Sequence, residues 1–175
     1  MYKSAKEISY ASIAVAVLIS SQLALSAISG IEVVTAIFAL YCFVFGVVRG
    51  VVVANVFSLI RCLIFGFFPQ VVLLYLIYYN VFAVGIGVLG KVIKDQKIWL
   101  KIVVLTLISC VFTVCFTWID NLLNILLFSL SPTASQIYIA QSLPAMFRQL
   151  ICVGVTVPTL FYPLYKVFAI AHNSL

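Results

Sequence analysis

The chain has 175 residues, of which 66% are hydrophobic and 8% charged, and its mean hydropathy is +1.30. A soluble domain of this length carries charge on roughly a quarter of its residues, so these values exclude one and predict an all-α integral membrane protein. The net charge of +6 does not indicate nucleic-acid binding, because the basic residues lie at the edges of apolar runs and form no aromatic-interleaved patch.

The apolar runs predict about six transmembrane helices in a single domain that covers residues 1–175. One span takes about 20 residues, and the first run is too long for the apolar part of a cleavable signal peptide. The helices are predicted over residues 7–28, 32–48, 51–67, 71–90, 98–128 and 146–171. The fifth run exceeds one span, so a tilted or broken helix is expected there. Residues 129–144 are predicted to be a loop with room for one helical turn or more, and Pro158 and Pro163 are expected to kink the last helix.

The distribution of lysine and arginine predicts the orientation. With these helix boundaries, most of the ten basic residues fall on one side of the membrane. That side holds Lys3, Lys6, Arg49, Lys91, Lys94, Lys97, Lys101 and Lys166. The positive-inside rule therefore predicts that both termini and the loop over residues 91–101 are cytoplasmic. We expect a single compact bundle that crosses the cell membrane several times.

Signatures of enzymes, metal sites and cofactor sites are missing from the sequence. The five cysteines lie inside apolar runs without metal-ligand spacing, and His172 is the chain's one histidine. No Walker A, HExxH or GxSxG motif occurs. Residues 85–90 match GxGxxG, but at the end of a membrane helix, where they predict small-residue packing and a helix stop. Neither catalysis nor a metal or cofactor is predicted, and the cysteines are expected to be small buried hydrophobes.

Charged residues in the outer half of the membrane predict a binding pocket for a solute. Arg61 lies about 18 Å along helix three from Arg49, and a charge within a span usually faces the protein interior or a wet cavity. Glu32, Asp120 and Arg148 fall near the same outer boundary. Structural ion pairs, or anchoring at the interface, remain the alternative.

Amides and aromatic residues add to this region. Asn121 and Asn124 are three positions apart, near one face of helix five. Trp118 also fits an interfacial aromatic belt, and Tyr79, next to Asn80, fits either stacking on a planar ligand or core packing. The predicted substrate-binding residues are Arg61, Asp120, Asn121, Asn124, Arg148, Glu32, Trp118, Tyr79 and Asn80.

Helix one carries small side chains at a spacing of four, in Ser12, Ala16 and Ser20, and Ala11 broadens this stripe. Small residues let helix backbones approach closely in lipid. The stripe predicts either packing within the chain or docking onto another membrane subunit.

The order of these features resembles the substrate-binding subunits (S components) of energy-coupling factor (ECF) transporters. The resemblance lies in a small-residue helix one after a basic start, in the segment Gly30-Ile31-Glu32-Val33-Val34-Thr35, and in the turn Phe45-Gly46-Val47-Val48-Arg49-Gly50. It implies high-affinity capture and import of a vitamin-like small molecule in a prokaryotic cell membrane. It also implies docking through helix one onto a transmembrane coupling subunit driven by two cytosolic ATPase subunits, with Ala11, Ser12, Ala16 and Ser20 as docking residues.

Two other classes remain open. A structural or assembly membrane protein would use the stripe on helix one for oligomerisation alone. A small autonomous secondary transporter or channel is the other, although no acidic residue lies within a helix in the cytoplasmic half to relay protons.

Overall fold

The computed structural model describes residues 5–27 and 33–173, which contain six α-helices. They are α1 (Ala5–Leu25), α2 (Val34–Phe45), α3 (Val47–Phe65), α4 (Pro69–Val92), α5 (Ile98–Leu127) and α6 (Pro132–Asn173). No strand occurs in these two ranges, and five of the helices are long and apolar enough to cross a membrane. The prediction of an all-helical, multi-pass membrane protein is confirmed at this level.

The short helix α2 is the innermost element. Of its 12 residues only Val44 is partly exposed, and it packs against each of the other helices. A helix that is apolar all round needs neighbours on every side, and α1, α3, α4, α5 and α6 supply them. At 1.5 Å per residue α2 is about 18 Å long, which is shorter than the hydrocarbon core of about 30 Å.

A single residue, Gly46, separates α2 from α3. Its φ is +80°, a left-handed conformation that glycine adopts without steric cost. The sequence predicted the break between Val48 and Val51, and that boundary is wrong because the positive φ falls on the earlier glycine. Arg49 consequently lies in the first turn of α3, where it forms an ion pair with the buried carboxylate of Glu7 in α1.

The glycines of the GxGxxG match let α4 approach the junction of α2 and α3. A Cβ atom on Gly90 would lie 2.2 Å from the carbonyl oxygen of Phe43, and one on Gly87 would lie 2.6 Å from the backbone nitrogen of Val47. The prediction of small-residue packing is confirmed. The predicted stop is wrong, because α4 continues past Gly90 to Val92.

Helix α5 has nearly the predicted bounds, whereas α6 is longer than predicted. α5 is one unbroken helix of 30 residues, and α6 has 42 residues and begins at Pro132. The predicted loop over residues 129–144 is therefore mostly helical. The Ser131 hydroxyl accepts a hydrogen bond from the amide of Ala134 at 3.3 Å, and proline is well suited to the first helical position. The helix continues through Pro158 and Pro163, as neighbouring helices allow in membrane proteins.

Several basic residues share one end of the helices, which we call the basic end. The start of α1 meets the start of α3 there through Glu7 and Arg49. The end of α4, the start of α5 and the end of α6 meet around a cavity lined by Lys91, Lys101 and His172. The grouping of Arg49, Lys91 and Lys101 follows the prediction from the sequence.

Candidate functional site

The first polar group within the spans, which we call the Arg61 cluster, consists of Gln22, Arg61, Phe65 and Tyr75. The Arg61 guanidinium carbon lies 4.2 Å from the centre of the Tyr75 ring and 5.1 Å from that of Phe65. The Gln22 side-chain amide donates a hydrogen bond of 3.2 Å to the Tyr75 hydroxyl. Helices α1, α3 and α4 therefore converge on Tyr75.

The Arg61 cluster contains buried polar atoms that make no hydrogen bond with the described residues. The Nε atom of Arg61 and the Oε1 atom of Gln22 are buried and have no hydrogen-bond partner in residues 5–27 and 33–173. Arg61 also makes no ion pair with any residue that the structure describes. Ring contacts stabilise a cation by about 0.5–2 kcal/mol, which offsets only part of the cost of a charge within a span. The cluster is thus suited to an anionic partner beside an aromatic ring.

The second polar group, the Asp120 cluster, joins α5 to the first part of α6. The Asp120 carboxylate accepts hydrogen bonds from the Asn124 amide at 3.1 Å and from the Tyr138 hydroxyl at 3.3 Å. Asn121 donates to the Ser142 hydroxyl at 3.0 Å, and its own Oδ1 atom is buried without a partner among the described residues. Asn121 and Asn124 were predicted to face one wall of a pocket, but here they contact different partners.

Aromatic packing lies between the two clusters. Phe116 precedes Asp120 by one turn of α5, and its ring lies 6.0 Å from that of Tyr75 and 4.8 Å from that of Tyr78. Asp120 therefore hydrogen-bonds within its own cluster and does not pair with Arg61. Arg61 and Asp120, both predicted to line the outer pocket, therefore belong to two different polar groups.

The remaining predicted residues lie elsewhere. Tyr79 is buried in the aromatic core, with its ring 5.0 Å from that of Phe57. Trp118 is 54% exposed, as in an interfacial belt, and Arg148 lies on the exposed surface of α6. Glu32 is outside the described residues.

Asn80 belongs to an amide pair with Asn55, which the sequence analysis did not single out. Each side-chain amide donates to the carbonyl of the other, at 3.1 and 3.0 Å. Each also donates to a backbone carbonyl one turn earlier, that of Val51 or Leu76. The pair fixes α3 against α4 and has little capacity left for a solute.

Replacing one member of this pair by leucine is expected to destabilise the protein by about 1–3 kcal/mol, because the side-chain carbonyl of the other, partly buried amide loses its hydrogen-bond donor. The double replacement Asn55→Leu with Asn80→Leu should recover most of that loss. Unfolding of all four proteins by sodium dodecyl sulfate titration completes the double-mutant cycle. Losses that simply add would contradict the coupling of the two side chains.

The sequence analysis also missed a polar stripe along α5. Its members are buried and, with the apolar Leu105 at one position, recur every four residues along the side of α5 that packs against the neighbouring helices. They are Lys101, Ser109, Thr113, Thr117 and Asn121. Between Ser109 and Asn121, the sequence signal was a hydroxyl or amide at every fourth position of a largely apolar run. The Thr113 hydroxyl donates to the carbonyl of Ser109 at 2.9 Å, so part of this polarity is satisfied within the helix.

The small residues of helix one divide between two faces. Ser12, Ala16 and Ser20 are exposed on the surface of the chain, whereas Ala11 is buried. Ala11 therefore packs within the chain. The other three form an exposed strip of small side chains, which we call the α1 strip.

None of the five cysteines belongs to the Arg61 cluster or the Asp120 cluster. All five cysteines are free thiols, and Cys115 is exposed on α5 and not buried as expected. The structure's described residues contain no group of three or more His, Cys, Asp or Glu side chains that could hold a metal ion.

Comparison with known proteins gives no assignment. No protein-family model, curated protein or solved structure matches this chain. The resemblance to ECF S components stays a prediction, and the geometry of the two clusters and of the α1 strip carries the proposals that follow.

Proposed function

We propose that the chain binds a vitamin or similar micronutrient with an anionic group and imports it as the substrate-specific subunit of an ECF-type transporter. Arg61 is the observation that carries this proposal. It is a cation within a span, it stacks on Tyr75, and it has no acidic partner among the described residues. A solute carboxylate or phosphate would supply the missing counter-charge.

The chemistry of the proposed site follows from the side chains of the Arg61 cluster. A guanidinium binds a carboxylate or phosphate through two parallel hydrogen bonds. The free Oε1 atom of Gln22 can accept a hydrogen bond from a donor on the solute. The Asp120 cluster, on the far side of Phe116, offers a carboxylate and two amides to a solute that reaches across.

Energy would come from partner subunits. We propose that the α1 strip docks onto a transmembrane coupling subunit that two cytosolic ATPases drive. The exposure of Ser12, Ala16 and Ser20 supports this, since small side chains at a lipid-facing surface permit close contact with another helix.

In the proposed orientation the basic end and both termini are cytoplasmic. A cysteine in place of Gln96 should then resist a membrane-impermeant maleimide in intact cells, whereas one in place of Thr133 should react. Both positions are exposed, Gln96 in the turn before α5 and Thr133 at the start of α6. The unsubstituted chain controls for labelling of the native cysteines. Labelling of Gln96→Cys from outside the cell would show that the orientation is opposite to the proposed one.

Small molecules that co-purify with the protein test the proposal directly. Mass spectrometry of a denatured extract should find one anionic, vitamin-like solute in near-stoichiometric amount. The solute should be missing from a mock purification, and less of it should co-purify with the Arg61→Met variant. Wild-type protein that carries no solute and takes up none when supplied with candidate vitamins would contradict the proposal.

Docking is tested separately from binding. Ala16→Trp is expected to abolish uptake and association with a coupling subunit while solute binding persists, because the α1 strip is outside the Arg61 cluster. Val103→Trp, on the exposed surface of α5, is the matched control. If Ala16→Trp instead disrupts only self-association, the alternative of a structural, oligomeric membrane protein is favoured.

A further inference from the structure

A cavity of about 360 Å³ opens at the basic end. It lies between the junction of α2 and α3, the end of α4, the start of α5 and the end of α6. Its inner wall is apolar and includes Phe43, Val44 and Ala169. A water molecule takes about 30 Å³ of liquid volume, so the cavity is large enough for a polyatomic ligand.

The charged side chains that line this cavity are all basic, and Tyr165 and Asn173 add neutral polar groups. Lys91, Lys94 and Lys101 line it together with His172, and no aspartate or glutamate does so among the described residues. Asp95 follows Lys94 in the exposed turn before α5 but is not part of the wall. The cavity therefore holds an excess of positive charge next to apolar surface.

Lys101 is the most buried of the three cavity lysines, so the fold itself positions its charge. Only 9% of this residue is exposed, and its amino nitrogen lies 5.7 Å from the centre of the Tyr165 ring. Within the described part of the chain it makes no ion pair. An ammonium group on so buried a residue is favoured by a counter-charge or by hydrogen bonds, and a single ring contact supplies only part of that stabilisation.

We propose that this cavity binds a phosphate group, held by Lys91, Lys94 and Lys101. Lysine binds phosphate as a compact point charge. Three ammonium groups from α4, the following turn and α5 match the several oxygens of a phosphate better than the two of a carboxylate. The apolar inner wall favours a phosphate that carries an organic substituent, from either an anionic phospholipid head group or a soluble phosphate ester. Basic pockets between transmembrane helices are known to take lipid head groups.

This site differs from the one proposed for the imported solute. The cavity walls contain no member of the Arg61 cluster or the Asp120 cluster. Failure of solute binding at Arg61 would therefore leave the phosphate site unaffected, and the two proposals can be tested independently.

The test uses the whole protein in detergent micelles. Thermal unfolding is measured with added phosphatidylglycerol, phosphatidylcholine, glycerol 3-phosphate, or inorganic phosphate against chloride at equal ionic strength. Phosphatidylglycerol should raise the unfolding midpoint and phosphatidylcholine should not. Each of Lys91→Gln, Lys94→Gln and Lys101→Gln should weaken the apparent affinity about fivefold, as expected for one lysine near an anionic head group.

Two lysines outside the cavity give matched controls. Lys97 and Lys166 are exposed and do not line it, so Lys97→Gln and Lys166→Gln should leave the affinity unchanged. If Lys101→Gln fails to fold, the double variant of the exposed Lys91 and Lys94 carries the test.

The outcomes separate the sources of phosphate. Stabilisation by phosphatidylglycerol alone supports a lipid head group, and stabilisation by glycerol 3-phosphate or inorganic phosphate supports a soluble ligand. The proposal would be overturned if none of these phosphates raised the unfolding midpoint. It would also be overturned if the control variants lost as much affinity as the cavity variants.

Discussion

Gly90→Ala is expected to destabilise the protein by about 3 kcal/mol or more, at or beyond the upper end of typical overpacking costs. The added methyl would lie 2.2 Å from the carbonyl oxygen of Phe43, a backbone atom that cannot rotate away. Helix α4 would have to move off the junction of α2 and α3. Thermal unfolding followed with a thiol-reactive fluorophore measures the loss, since Cys42 and Cys62 are fully buried in the folded chain.

Other glycines of the chain provide a graded control series. At Gly85 the new methyl would meet only the ring of Phe112, at 2.8 Å, and a side chain can shift. At Gly154 it would meet nothing within 4 Å, so Gly154→Ala should be neutral or stabilising by up to about 1 kcal/mol. Equal stability of the Gly90 and Gly154 variants would show that the close approach of α4 is not required.

Arg61→Met is expected to lower solute affinity by about 2–5 kcal/mol, the usual cost of removing one partner from a buried, hydrogen-bonded charge pair. Methionine keeps apolar contact with Tyr75 and Phe65, so the fold should survive. Calorimetry with the solute identified by mass spectrometry measures the change. Arg61→Lys keeps the charge but loses the planar guanidinium. Its solute affinity should therefore lie between those of the wild-type protein and Arg61→Met.

The Asp120 cluster gives the comparison for this experiment. Asp120→Asn and Asn124→Ala report whether a solute extends past Phe116 to α5. A normal unfolding midpoint with lost affinity assigns Arg61 to binding, whereas lost expression assigns it to structure. Unchanged affinity in all three well-folded variants would refute the outer pocket.

Hydropathy was sufficient to predict the number and type of helices, because long apolar runs have few alternatives in a bilayer. It could not locate the end of α2, since the apolar run continues past Gly46 and only the backbone conformation marks the break. It also missed the start of α6. There the polar residues after Ser129 suggested a loop, although Ser131 and Pro132 form a helix start.

The candidate sites were predicted less completely than the helices. Charge within a span pointed to Arg61, but sequence spacing relates residues on one helix and not across helices. The partners Tyr75 and Gln22, and the pairing of Asn55 with Asn80, depend on how α1, α3 and α4 pack. For the same reason Lys101 was placed at a membrane edge, whereas the end of α6 covers it through Tyr165.

The short central helix has a consequence for how the chain is made. With 12 residues, α2 is shorter than an ordinary membrane span. It is therefore expected to insert as a hairpin with α3, to which Gly46 joins it directly. Its contacts with α4 and α6 form only after those later segments leave the ribosome. A nascent chain cut before α6 should thus keep one side of α2 uncovered and be an early target for membrane proteases.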